Sequence, residues 1–209
     1  MVSTYKINYK RKGLIMEYKY GYFNESGDEF IITSPKTPRP FDNFLFNDSC
    51  YANVHQTGIG CFDYQIDGKE GIQLYTGVGR ICDYDVFGKD HLYNRLVFIR
   101  DNETGDFWTL NWEPVCHPYQ EYKCVQGLGY TKIENKTNDL VAKMRIFVPK
   151  GKDAVEMWKL SFTNETGRKN HILFLHTARY SSALNGDLIA MAILCIVQLA
   201  LIRIEIHSI

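Results

Sequence analysis

The sequence predicts an all-β protein, an antiparallel β-sandwich. Three observations predict it. Short runs rich in β-branched and aromatic residues recur roughly every 8–15 residues. The turns between them are NESGD at 24–28, DNETG at 101–105, NKTND at 135–139 and NETGRK at 164–169, rich in the residue types that tight turns demand. No convincing helical period separates the runs.

Bulk properties agree with a folded domain. The chain has 209 residues, 45% of them hydrophobic and 14% aromatic, enough for one domain with a proper core. Its 24 basic residues balance its 24 acidic ones. A neutral chain gives no reason to expect nucleic acid, an anionic membrane surface or a polyanionic substrate, and it is compatible with neutral sugars.

Residues 1–15 carry four basic groups and no acid, and lack the apolar run of a secretory signal. They are expected to be an extension without a role in the fold, with Met16 as a natural beginning. Strands are expected at 18–23 and 29–33. SPKTPRPF follows at 34–41, with Pro35, Pro38 and Pro40, and reads as an extended loop because proline cannot pair inside a sheet. Residues 41–51 read as aromatic and irregular. Glycine turns TGIG, DGKEG and TGVG then punctuate the chain, with strands at CFDYQI (61–66) and GIQLYT (71–76).

Residues 95–112, RLVFIRDNETGDFWTLNW, read as a β-hairpin. Its second arm, 106–112, alternates with Trp108, Leu110 and Trp112 on one side, so the two tryptophans form one aromatic surface. That surface is either core or a platform that stacks on something flat, such as a sugar ring. Trp112 and Trp108 are therefore the candidate carbohydrate-binding residues. Trp108 leans towards the core; Trp112 lies at a strand end before a proline.

Further strands are expected at 120–124, 130–135, 140–148, 154–163 and 170–177. In 141–147 the alternation sets Ala142, Met144 and Ile146 against Val141, Lys143, Arg145 and Phe147, which suits a sheet partly exposed on one side. In 154–162 it sets Trp158, Leu160 and Phe162 against Val155, Met157 and Lys159. After Tyr180 the character changes. Residues 181–209 contain no Phe, Tyr or Trp, and 188–202 is apolar except for Gln198. That run falls short of the roughly 20 residues of a membrane span. It is a buried apolar helix, a membrane anchor, or a segment foreign to the domain.

Little points to chemistry. The six cysteines include no Cys-x-x-Cys pair; Cys116, His117 and Cys124 are the nearest approach to a ligand cluster, and packed thiols are the plainer reading. Five Asn-x-Ser/Thr triplets, at Asn24, Asn47, Asn102, Asn135 and Asn164, are read as turn residues rather than glycosylation acceptors. Asp83, Asp85, Asp101, Glu103 and Asp106 are not spaced as a catalytic pair, and His117 and His176 stand alone. No phosphate-binding loop, nucleophile elbow or His-Glu-x-x-His motif occurs. No catalytic residue, metal or cofactor is therefore expected.

YGYF at 20–23, EFIITSPKTPRPF at 29–41, RDNETGDFWTLNWEPV at 100–115, YKCVQGLGYTKI at 122–133 and FVPKGKDAVEMWKLSFTNET at 147–166 together carry a family likeness. In order from about Met16 to Tyr180, the chain resembles the N-terminal region of family-94 glycoside phosphorylases, which include cellobiose and chitobiose phosphorylases and cyclic β-1,2-glucan synthase modules. The DN-x-TGDFW and GLGYT segments are its most specific parts. The resemblance implies a β-supersandwich of the galactose-mutarotase-like type at 16–180, here incomplete. In the family an (α/α)6 barrel follows and carries the aspartate general acid and the phosphate site. It implies inverting phosphorolysis of a β-linked gluco-oligosaccharide by inorganic phosphate in a homodimeric enzyme. This chain is then expected to be a cytoplasmic, carbohydrate-contacting and dimerising fragment, inactive alone. The loss of aromatics after residue 180, where the family continues differently, suggests a shifted frame or a truncated gene. The competing expectation is a stand-alone carbohydrate-binding or structural sandwich with a C-terminal membrane anchor.

Overall fold

The computed structural model describes residues 7–9, 14–64, 72–76, 95–165, 172–177 and 206–208. Among them sixteen strands form three sheets and no helix occurs. The fold is all-β, as expected. Nothing among the described residues is a helix long and apolar enough to cross a membrane. The run at 188–202, expected as a helix, lies outside the described residues.

The largest sheet begins with β1 (Ile7–Tyr9), β2 (Leu14–Tyr18), β3 (Gly21–Phe23) and β4 (Glu29–Ile32). It continues through β11 (Glu121–Gly127), β12 (Tyr130–Thr137), β13 (Leu140–Phe147) and β14 (Met157–Asn164), and ends on β16 (Ile206–Ser208). All its pairings are antiparallel except β14 with β16. The β1 strand pairs only with Leu14, Ile15 and Met16, whereas β2 meets β3 through Glu17 and Tyr18.

A four-stranded sheet runs β5 (Asn43–Phe46), β6 (Cys50–Val54), β7 (Gly60–Tyr64) and β8 (Ile72–Thr76). A three-stranded sheet places β9 (Leu96–Asp101) between β10 (Phe107–Thr109) and β15 (Ile172–Thr177). One apolar cluster joins all three. The large sheet gives Ile32, Cys124, Ile133, Ala142, Met144, Ile146 and Phe162; the smaller sheets answer with Leu45, Ala52, Val54, Phe62, Val97, Ile99 and Trp108. This is two-layer packing, with one face of each sheet turned to a shared core.

Alternation explains the register. Along β12 every second residue, Thr131, Ile133, Asn135 and Thr137, is buried. Ala142, Met144 and Ile146 of β13 are fully buried, and Lys143 and Arg145 face outwards.

Four local readings change. The single strand expected at 18–23 is broken by a turn at 19–20 between β2 and β3. The expected irregular stretch at 41–51 is mostly the β5–β6 hairpin. Its turn is held by Asn47, whose Oδ1 accepts from the Ser49 and Cys50 amides at 2.9 and 3.0 Å. The strand expected from 154 starts at Met157, because Glu156 is drawn away to a buried arginine. The second arm of the central hairpin ends at Thr109, so the alternation through Trp112 fails. Thr109 and Asn111, placed on the opposite side by the alternation, are as buried as Trp108 and Leu110, and Trp112 sits at φ 77°.

Candidate functional site

Three loops meet at one end of the smaller sheets. They span residues 34–42, 55–60 and 110–117. The first is rigid because prolines fix its backbone and Gln56 holds it. The buried Gln56 amide donates to Thr37 Oγ1 at 2.7 Å and to the Pro35 carbonyl at 3.2 Å, and its Oε1 accepts from the Phe41 amide at 2.9 Å. Tyr122, reaching from β11, donates its hydroxyl to the Gln56 carbonyl at 2.5 Å. Burial pushes the Tyr122 phenol well above its usual range, so it stays a donor.

The second loop is the tight turn before β7. The His55 amide bonds the Ile59 carbonyl at 2.8 Å, and His55 Nε2 lies 2.8 Å from Asp42 Oδ1. Behind this turn stands Arg95, fully buried. Its guanidinium meets both oxygens of Glu156 at 2.7 and 2.8 Å. The remaining donors reach the carbonyls of Asn53, Gly58 and Cys61 at 3.1, 3.0 and 2.8 Å. A buried guanidinium is tolerated only when every donor is used in this way.

The third loop carries Trp112. Asn111 ties it to the second loop through the Thr57 carbonyl at 2.7 Å. The Trp112 carbonyl accepts from Thr109 Oγ1 and from the Cys116 amide, both at 2.7 Å. Left-handed backbone at Trp112 and Cys116, φ 77° and 56°, is unusual for residues with a Cβ and marks strain that the surroundings must hold. The Trp112 indole is half-buried, and Lys36 Nζ lies 5.6 Å from its ring centre. Trp108 is only 1% exposed and belongs to the core. The two tryptophans therefore form no common surface: only Trp112 has open area for a ligand.

Buried polar atoms collect at this end. Among the described residues, Asn53 Oδ1, Thr57 Oγ1 and Asn111 Oδ1 are buried without a hydrogen-bond partner. Such groups are rare in folded proteins and mark places where buried water belongs. Sequence reasoning missed Gln56, Arg95 and Asn111. A polar residue beside a turn looks solvated until its distant partner is known.

The acids of the central hairpin have turn duties. Asp101 Oδ1 accepts from the Glu103 amide at 2.8 Å. Asp106 Oδ2 receives Asn138 Nδ2 at 2.8 Å and lies 3.3 Å from His117 Nε2. Asp83 and Asp85 lie outside the described residues, as does the His176 side chain. Among the described residues no group of three His, Cys, Asp or Glu side chains could hold a metal. Cys50, Cys116 and Cys124 form no disulfide among the described residues, and Cys82 and Cys195 lie outside them.

Comparison with known proteins now adds to this geometry. The model of the glycosyl hydrolase 94 supersandwich domain matches residues 28–189. A solabiose phosphorylase of Paenibacillus borealis is 36% identical over 73% of this chain and 19% of its own length. A 3-O-beta-D-glucopyranosyl-beta-D-glucuronide phosphorylase of the same organism is 32% identical over 76% of the chain and 18% of its own length. An N,N'-diacetylchitobiose phosphorylase of Vibrio furnissii is 30% identical over 74% of the chain and 18% of its own length. The chain thus spans about a fifth of the length of the curated relatives it matches.

Proposed function

The chain belongs to the glycosyl hydrolase 94 supersandwich family, and on that premise we propose that it serves as the carbohydrate-contacting domain of a glycoside phosphorylase. The observation that carries this reading is the match of the family model across residues 28–189, with relatives that are all phosphorylases. The reaction served is inverting phosphorolysis of a β-linked gluco-oligosaccharide by inorganic phosphate. The acid and the phosphate site belong to another part of such an enzyme, and this domain is inactive alone. It works in the cytoplasm, within a homodimer, without nucleic acid, cofactor or metal.

Trp112 is the residue through which the loop-built end meets sugar. An indole face covers the apolar C–H side of a pyranose. Lys36 beside the ring supplies a cation. Trp108 supports the loops from below and touches no ligand.

Calorimetric titration with cellobiose and N,N'-diacetylchitobiose tests this reading. Binding should weaken by about tenfold in Trp112→Ala, the loss expected for one aromatic stacking contact. Unchanged binding in that variant, or no heat from either sugar, would count against it.

A further inference from the structure

A groove of about 440 Å³ opens on the large sheet, lined chiefly by residues of its outer face and reaching Tyr122 and Asn135 of the inner one. Its place follows from register. Tyr22 lies opposite Ile31, Lys123 opposite Glu134, and Lys136 opposite Val141. Their immediate neighbours in sequence, Cys124 beside Lys123, Ile133 beside Glu134 and Ala142 beside Val141, belong to the core. Strand alternation therefore builds one surface with Ile31 and Val141 as a buried floor and Tyr22 as a half-buried aromatic wall.

The rim is polar and balanced in charge. Glu134 is held by Lys143 at 3.0 Å, and Lys136 by Glu165 at 2.9 Å. Lys123 makes no ion pair among the described residues. Two lysines and two glutamates line the groove. Fixed charges of both signs offer donors and acceptors side by side without a field that would select an anion. A peptide strand is a poor fit too. The floor strands β3, β4, β12 and β13 each lie between two neighbours, and β11 is paired with β12 throughout and with β4 from Cys124 to Gly127, so little backbone is left for strand addition.

We infer that this groove is a second carbohydrate site, taking a short neutral β-linked gluco-oligosaccharide without contact to Trp112. Its volume falls in the range of small-molecule sites, roughly 300–1,000 Å³. Tyr22 stacks on one pyranose; Lys123, Glu134 and Lys136 bond its hydroxyl groups. The site deepens the carbohydrate reading above and rests on it.

Chemical-shift mapping of the isotope-labelled chain with cellobiose tests the inference, with inorganic phosphate titrated in parallel. Cellobiose should move the amide signals of Lys123, Glu134 and Lys136 saturably, and phosphate should not. Tyr22→Ala should weaken this effect about tenfold. Lys123→Ala, on the exposed rim, should also weaken it and keeps the test available if the tyrosine variant fails to fold. Trp112→Ala should leave it unchanged. Undiminished groove shifts in both groove variants, or displacement of the sugar by phosphate, would overturn the site. Shifts confined to residues 110–116 would overturn it while sparing the carbohydrate reading; no shifts anywhere would remove both.

Discussion

Arg95 shows how one side chain can hold an end of the molecule together. It immediately precedes β9 at φ 54° and sends its guanidinium into the turn before β7 and to Glu156 before β14. Arg95→Ala would leave Glu156 buried without its partner, and should cost about 3–5 kcal/mol in urea unfolding. Arg95→Lys should recover little, because an ammonium cannot grip both carboxylate oxygens and three carbonyls together. Glu29 gives a pH-dependent counterpart. The Tyr130 hydroxyl, with smaller help from Lys132, holds its carboxyl below the usual glutamate range. A depressed folded pKa stabilises the native state above the unfolded value, about 4.3, and that stability is lost as pH falls through the folded one. Glu29→Gln should therefore flatten the acid side of the stability profile, measured by thermal melting at successive pH values. Residues of these two kinds differ in legibility. Trp108 was readable as core because a tryptophan within a sandwich strand usually packs there, and it is 1% exposed. Arg95, Gln56 and Asn111 were not, since their partners lie many residues away and nothing in the sequence names them.

Among the elements, the β6–β7 turn is the tightest. Gly60 sits at φ 154°, where a Cβ would fall 1.8 Å from the Asn53 carbonyl oxygen. Backbone cannot yield as a flexible side chain would, so Gly60→Ala should destabilise the chain by more than about 2 kcal/mol in the same unfolding assay. The opposite result is expected at the N-terminal edge. A chain starting at Met16 loses β1 but keeps the β2–β3 pairs at Glu17 and Tyr18. Its melting temperature should stay within about 3 °C of the full chain, roughly 1 kcal/mol at this size. The long strands were legible because binary patterning repeats along them. The β5–β6 hairpin was not, since its aromatic residues lie on the solvent side, against the usual pattern: Phe44, Phe46 and Tyr51 are exposed while Leu45 is buried. The end of β10 was missed for another reason. Tertiary bonds from Tyr119 and Asn111 bend the chain after Thr109, overriding a pattern that read as one continuous strand.

At the scale of the whole molecule, three sheets share one core, and Tyr122, which holds the loop-built end through Gln56, also lines the groove on the large sheet. The fold class was legible because spacing, turn chemistry and alternation agree with one another. The site was legible only in part: Trp112 could be singled out as an aromatic at a strand end, but the loops that frame it converge through contacts that sequence order does not show. The central claim is that this domain contacts carbohydrate in a phosphorylase and performs no chemistry alone. The most direct measurement is release of sugar 1-phosphate from cellobiose, solabiose or N,N'-diacetylchitobiose by the purified chain with inorganic phosphate. The account predicts sugar binding with no sugar 1-phosphate formed. Turnover that scales with the concentration of this chain would contradict it.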